Sequence, residues 1–340
     1  MQKLTKIGVS ALAGSLVAVS ASAGDLSVSG TWELTYKSDN NSNIANPFGS
    51  KSAISFNGSG DVDGVGTASF YAQINDNNPA GFTSHEISVD MGDMGTFGFD
   101  QGVGTYGVST IDDKSPTAWE ESWHNTANSS GGLIHSGGAS GVLGYANSMM
   151  GFDLTVEYAP AINAADGGDG AGSAKSDTSL ANGSNTNFAI TNSGMIDGLT
   201  FGAGAGSTDY DDTGVTGNED GSSVVGFVNY AMGPMTVGVT MSESNNVRNT
   251  SGNNSGGREV EAYGVAFNVN ESLSVSYNQH NMNYTKQGAG PDVEQESTGI
   301  AIAYTMGGAK LAIQQNEQDN SGGTANNNDE ITEVSLSLAF

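Results

Sequence analysis

The feature that most constrains this chain is a strict alternation of apolar and polar residues that begins just after Asp25. From Leu26 to Tyr36 every even position is apolar or glycine, and every odd position is Ser, Thr or Glu. A period of two residues is typical of a β-strand with one apolar and one polar face. The run of eleven residues is also long enough for a tilted strand to cross a bilayer.

The same alternation recurs along the chain and predicts an all-β protein of sixteen antiparallel strands. An even number of strands is what a closed barrel with both termini on one side requires. The apolar centres of the predicted strands are 26–36, 54–56, 68–74, 87–91, 97–99, 142–145, 152–158, 188–191, 199–205, 224–230, 235–241, 263–269, 273–277, 300–304, 311–313 and 334–340.

The connections between these strands alternate between short and long. Seven are short and rich in Gly, Asp, Asn or Pro, whereas eight are long, acidic and rich in Asn and Gly. Long loops at one end and short turns at the other are typical of a transmembrane β-barrel of the outer membrane. We therefore predict one barrel domain, 24–340, with long external loops and short periplasmic turns.

The residue types on the polar face decide which face points inwards. They are mostly Ser, Thr, Asn and Gln with some charges, which a dry core would not tolerate. Sixteen strands also enclose a lumen that is too wide for side chains to fill. We therefore expect the apolar face to contact membrane lipid and the polar face to line a water-filled pore.

The first residues and the overall charge define the compartment and exclude several partners. Residues 1–23 carry two lysines, a short apolar run and an Ala-Ser-Ala site, which predicts a signal peptide and export. The formal charge of −27 excludes nucleic acid as a partner, because phosphate would be repelled. The absence of cysteine excludes disulfides and thiol chemistry.

The chain resembles the general porins of Gram-negative bacteria in its signal peptide, its sixteen strands, its long loop after strand five and its last strand. That strand ends Val-Ser-Leu-Ser-Leu-Ala-Phe at Phe340, and 94–101 resembles the strand-five segment of the family. The resemblance implies passive diffusion of small hydrophilic solutes, a homotrimer, and recognition of Phe340 by the barrel-assembly machinery. It also implies that the loop 102–139 folds inwards and forms the constriction.

Charged residues expected at the constriction are mostly acidic. Carboxylates in a narrow pore attract cations, so we predict a cation-preferring channel. Asp100 stands where members of the family often have arginine. The candidate selectivity residues are Asp112, Asp113, Glu120 and Glu121 on the loop, and Glu33, Glu86, Asp90, Asp100 and Lys51 on the wall.

Other functions have weaker support. Asp209, Asp211, Thr213 and Asp220 have oxygen side chains at spacings that resemble a Ca²⁺ loop, although strands rather than helices flank them. No nucleophile motif or histidine pair suggests catalysis, so we predict no enzyme activity and no required cofactor. The alternatives left open are a substrate-specific channel, with Trp119, Trp123 and Tyr106 as an aromatic track for sugars, and an exported surface adhesin.

Overall fold

The structure, a computed structural model, describes most of the chain after the predicted signal peptide. The described residues are 24–40, 44–76, 81–131, 141–160, 184–209, 220–245, 257–285 and 293–340. The predicted signal peptide, 1–23, lies outside them. Within these ranges, no helix has both the length and the apolar character needed to cross a membrane.

Sixteen antiparallel strands close into a single barrel, which confirms the predicted fold class. Each strand pairs with its neighbours in sequence, and β1 pairs with β16 to close the sheet. The strands are β1 (Asp25–Asp39), β2 (Phe48–Val62), β3 (Gly66–Asn75), β4 (Ser84–Asp90), β5 (Thr96–Gln101), β6 (Val142–Met149), β7 (Phe152–Ala159), β8 (Asn185–Asn192), β9 (Leu199–Thr208), β10 (Gly221–Met232), β11 (Met235–Asn245), β12 (Arg258–Asn268), β13 (Leu273–Tyr284), β14 (Val293–Met306), β15 (Ala309–Asp319) and β16 (Asp329–Ala339).

The apolar face of the sheet points out of the barrel. Val28, Ile54 and Ile300 are each more than half exposed, at 60%, 51% and 58% of their surface. Polar residues one position away along the strands, such as Glu157 and Asn278, are buried inside. Because exposed apolar residues cover the outside of the barrel, its outer surface matches lipid rather than water.

The seam between β1 and β16 shows how the register separates the two faces. Trp32 pairs with Leu338, and Leu34 pairs with Leu336, on the outer face. Between these rows Glu33 pairs with Ser337, on the inner face. A shift of one residue would send the carboxylate into lipid, so the alternation itself fixes the register.

The turns at one end of the barrel are tight. Met150 and Gly151 join β6 to β7 with φ values of 55° and 82°. Two positive φ values in succession define a type I′ turn, which matches the twist of a hairpin. At the opposite end, the connection between β5 and β6 spans forty residues, and its described part, 102–131, lies inside the barrel.

Candidate functional site: the pore constriction

The segment 102–131, here called the inner loop, begins with a turn built around Asp100 at the end of β5. The buried Asp100 carboxylate accepts hydrogen bonds from the backbone N–H groups of Val103, Gly104 and Thr105 at 2.7, 2.9 and 3.0 Å. Three charge-assisted bonds to one side chain fix the direction in which the loop leaves the strand. Asp100 therefore orients the loop, whereas the sequence analysis placed it as a free charge on the pore wall.

Tyr106 then lies flat against the wall where two glycines leave room for it. A Cβ atom on Gly144 would stand 2.1 Å from the tyrosine ring, and one on Gly98 would stand 2.0 Å from its hydroxyl oxygen. Any larger residue at either position would expel the ring. The Tyr106 hydroxyl donates to Glu86 at 3.0 Å. Burial and the nearby Glu86 carboxylate raise the pKa of Tyr106 well above its usual range, so it stays a hydrogen-bond donor.

The Glu86 carboxylate also bonds to the loop rather than facing the open lumen. Its second carboxylate oxygen accepts a hydrogen bond from Thr105 Oγ1 at 2.5 Å. The side chain is 9% exposed. Glu86 was predicted to act on permeating ions, but the structure makes it an acceptor that fastens the start of the inner loop to β4.

A small apolar cluster holds the next turn of the loop. Val108 and Ile111 are buried against Ala189, Val225 and Phe227, which point inwards from β8 and β10. The Val108 backbone N–H also donates to Asn187 Oδ1 at 2.8 Å. Because removing these side chains from water is favourable, the cluster is an apolar anchor of the loop.

Glycines on the inner wall mark the path of the loop across the next strands. A Cβ atom on Gly264 would stand 2.5 Å from the Pro116 carbonyl oxygen, and one on Gly238 would stand 2.7 Å from Pro116 Cδ. On β14, a Cβ atom on Gly299 would stand 2.9 Å from Ser122 Cα. The wall thus has a groove of missing side chains that the loop backbone occupies.

Polar side chains of the wall bind the far half of the loop. Ser276 Oγ accepts from the Ala118 N–H at 2.9 Å, and Asn278 Oδ1 accepts from Ser122 Oγ at 2.8 Å. Gln314 Nε2 donates to the Glu121 carbonyl oxygen at 2.6 Å. These bonds give two backbone groups and one hydroxyl of the loop partners on the wall.

The loop reaches the closing seam of the barrel at Asn125. Its side chain donates to Glu333 Oε2 at 2.6 Å, and its carbonyl oxygen accepts from Lys37 Nζ at 2.6 Å. The ring nitrogens of His124 lie between two carboxylates, 3.7 Å from Glu120 and 3.6 Å from Glu333. Charges from β1, β16 and the loop therefore meet at one point inside the barrel.

The last described part of the loop turns back along the wall. Ala127 N–H donates to Asp329 at 2.7 Å, and Asn128 Nδ2 donates to Gln295 at 2.7 Å. Trp123 packs on the buried ring of His280, with ring centroids 4.3 Å apart. The rest of the predicted constriction loop, up to residue 139, lies outside the described residues.

Two of the four loop acids have raised pKa values. Burial, with a hydrogen bond and repulsion from Asp113, raises the pKa of Glu121 to about 9, so this side chain is protonated at neutral pH. Burial and the neighbouring Asp113 raise the pKa of Asp112 to about 6. Asp113 is exposed and Glu120 is half-exposed. The loop therefore presents fewer negative charges at neutral pH than its sequence suggests.

The wall residues proposed for the constriction also separate into two places. Glu33 and Lys51 form an ion pair of 2.9 Å, and Ser335 Oγ donates to Glu33 at 2.5 Å. Asp90 instead lies at the opposite end of β4, where it accepts from the Gly92 N–H at 2.9 Å. Asp90 therefore belongs to a short turn, and the structure does not place it at the constriction.

The residues of the suggested Ca²⁺ loop are only partly within the described ranges. Asp209 and Asp220 flank the connection between β9 and β10, and Asp211 and Thr213 lie outside the described residues. In the part of the chain that is described, no three His, Cys, Asp or Glu residues form a cluster suited to a metal ion.

No protein-family model and no curated protein matches this sequence. Solved structures do match. OmpF of Salmonella typhi in complex with daunomycin has a TM-score of 0.68 at 12% identity, over 94% of this chain and 98% of that one. The trimer form of OmpT, an outer membrane protein of Vibrio cholerae, has a TM-score of 0.64 at 13% identity, over 94% and 100%. A mutant of the Rh. blastica porin has a TM-score of 0.56 at 14% identity, over 93% and 100%.

The chain has the general-porin fold. Identities of this order establish the fold alone, so the roles of individual residues in this porin fold depend on its own geometry. Asn125 and the glycines that receive the loop were not predicted from the sequence. The signal that could have found the glycines is their recurrence at inward positions of several strands, among them Gly98, Gly144, Gly264 and Gly299.

Proposed function

We propose that this chain forms a water-filled channel in the cell outer membrane, through which small hydrophilic solutes diffuse down their own gradients. The observation that carries the proposal is the inverted distribution of side chains: apolar residues outside, polar residues inside, and a loop folded across the lumen. In this arrangement polar side chains line the lumen for water, and diffusion through it requires no residue to act as a catalyst. We accordingly assign the chain no enzymatic activity and no required cofactor.

The outer membrane is the location that this surface favours. A barrel satisfies all backbone hydrogen bonds between strands, which a bilayer demands. Phe340 lies at the seam, where its N–H donates to the Gly30 carbonyl oxygen at 2.9 Å and its own carbonyl oxygen accepts from the Gly30 N–H at 3.1 Å. Its ring is 78% exposed, which suits the proposed contact with the barrel-assembly machinery and later with outer-membrane lipid.

We propose a modest cation preference at neutral pH. The loop carries Glu120 and the exposed Asp113, and the whole chain carries a formal charge of −27. Against them stand Lys51, which is paired with Glu33, and Lys37, which lies 3.5 Å from Asp39. Local pairing reduces the fixed field, so the preference is weaker than a count of acids suggests.

We propose a homotrimer as the working assembly. OmpT of Vibrio cholerae, which shares the fold, occurs in a trimer form. The Ca²⁺ site at Asp209, Asp211, Thr213 and Asp220 also stays a proposal, supported only by the oxygen-rich spacing of that loop. Electrophoresis after mild detergent extraction tests both proposals. A trimer would migrate as a band of higher apparent mass than the heated monomer. If Ca²⁺ is bound, its removal by EGTA would change the temperature at which the trimer band is lost.

The decisive test of the channel is conductance in a planar lipid bilayer. We expect stepwise current increases in 1 M KCl. In a tenfold KCl gradient, we expect a zero-current potential with the sign that indicates preferential permeation of cations. Migration on a denaturing gel that changes on heating separates a barrel from an adhesin. A heat-modifiable protein that inserts without any conductance would contradict the proposed function.

A further inference from the structure

The three aromatic residues that could have formed a track for sugars have separate roles. Tyr106 and Trp123 are buried at 2% and 8% exposure, and both anchor the inner loop to the wall. Trp119 is half-buried, and the centroid of its ring lies 6.2 Å from that of the His124 ring. A continuous aromatic track is therefore absent from the described part of the pore, but one indole ring is left available to solutes.

Trp119 borders a cavity of about 510 Å³ between the inner loop and the closing seam of the barrel. Small-molecule sites typically measure roughly 300–1,000 Å³ and combine an apolar surface with a few polar groups. The charged groups around the cavity come from the loop, β1, β2 and β15: Glu120, Glu33, Lys51 and Lys310, and the Ser337 hydroxyl of β16 lies beside them.

The charges of this cavity balance. Two carboxylates, Glu33 and Glu120, face two ammonium groups, Lys51 and Lys310. Glu33 and Lys51 already pair at 2.9 Å, and Ser337 Oγ donates to Glu33 at 3.2 Å. A charged solute would therefore gain little from the cavity, and a zwitterion would have to compete with the existing ion pair.

A neutral solute with many hydroxyl groups fits these surroundings better. Each hydroxyl both donates and accepts, so it can donate to Glu33 or Glu120 and accept from Lys51 or Lys310 without separating the pair. The C–H face of a pyranose ring supplies the apolar surface that stacks on an indole. An acyclic polyol with the same number of carbon atoms presents no such flat face.

We propose that Trp119, with Glu33, Lys51, Glu120 and Lys310, forms a binding subsite for a neutral pyranose sugar inside the channel. This inference rests on the proposed channel function. The subsite holds the sugar briefly during diffusion, which makes sugars transiently block ion current.

The experiment is the block of KCl current through single channels by glucose, measured as a function of sugar concentration. Sorbitol, which has the same six carbons and no ring, is the matched solute, and glycine betaine tests a zwitterion. The variants are Trp119→Ala and, as the control, Tyr71→Ala. Tyr71 is a half-buried inward residue of β3 that lines a different cavity.

We expect glucose to block the native channel, and Trp119→Ala to raise the half-blocking concentration about tenfold, whereas Tyr71→Ala leaves it within about twofold. Sorbitol is expected to block more weakly than glucose. Conducting channels that glucose does not block, or equal block in both variants, would overturn the subsite while the channel function stands. Block by betaine at lower concentration than glucose would overturn the assignment to neutral sugars. Absence of any conductance would instead refute the proposed function.

Discussion

Glu121 should make the ion selectivity of the proposed channel depend on pH in an unusual range. With a pKa of about 9, roughly one in a hundred Glu121 side chains is ionised at pH 7 and roughly nine in ten at pH 10. An acid whose pKa is raised gains its charge only as the pH rises through that value. We therefore expect cation preference to stay constant from pH 7 to about 8 and to increase between pH 8 and 10.

The size of the change follows from Coulomb's law. One charge about 6 Å from a passing ion in water contributes about 0.7 kcal/mol, or about a threefold change in local ion concentration. Screening at 0.1 M salt, with a Debye length near 10 Å, reduces this to about twofold. The zero-current potential in a KCl gradient, measured at pH 7, 8, 9 and 10, should record that change.

Two variants separate Glu121 from the other titrating groups. Glu121→Gln should behave like the native channel at pH 7 and lose the increase at higher pH. Glu120→Gln, the control on the same loop, should lower cation preference already at pH 7 and keep the increase. The reasoning is refuted if Glu121→Gln shows the same increase as the native channel.

Three further predictions concern the loop and the wall. Gly144→Val should displace Tyr106 and raise single-channel conductance. The control Gly226→Ala should leave the conductance unchanged, because its added Cβ would meet only the Gly202 carbonyl oxygen at 3.6 Å. Equal conductance of the two variants would contradict the groove formed by the glycines. Ile111→Ala should weaken the apolar anchor by about 2–5 kcal/mol and increase open-channel noise, and an unchanged noise spectrum would count against that anchor. Ile302→Arg, on the lipid face, should lower the free energy of unfolding by about 2–4 kcal/mol in a urea titration. Ser88→Arg, inside the lumen, should lower it by less. The opposite order would contradict the assignment of the two faces.

The strands and their orientation could be predicted because both faces have distinct chemistry. Leu26 to Tyr36 alternate between residues that suit lipid and residues that suit water, and one slip would invert the whole set. The segments near 54–56 and 311–313 were predicted as short strands, but β2 and β15 extend well beyond them. Their ends carry Ser, Asn, Gln and Glu on both faces, so the alternation of hydrophobicity fades there although the ladder continues.

The constriction could be predicted only in part, because its chemistry depends on contacts between distant strands. Asp100 and Glu86 look like free wall charges in sequence, and only the folded loop shows that backbone N–H groups and hydroxyls occupy them. The raised pKa of Glu121 comes from burial and from Asp113, eight residues away, which no local pattern encodes. Asp90 lies on the inward face of β4 as predicted, but at the end of the strand next to a short turn rather than at the level of the inner loop.

A polar barrel has to hold a loop inside itself without a hydrophobic core, and this one uses two different means. The near half of the loop relies on shape: Tyr106 in a gap left by glycines, and Val108 and Ile111 on a small apolar patch. The far half has one aromatic contact, Trp123 on His280, and otherwise relies on wall amides such as Gln314 and Asn316, which donate to loop carbonyl groups. Because hydrogen bonds to water compete with the second kind but not with the first, the far half should exchange its amide hydrogens faster. Hydrogen exchange that is equally slow across 106–128 would show that the polar contacts hold the far half as firmly as the apolar contacts hold the near half.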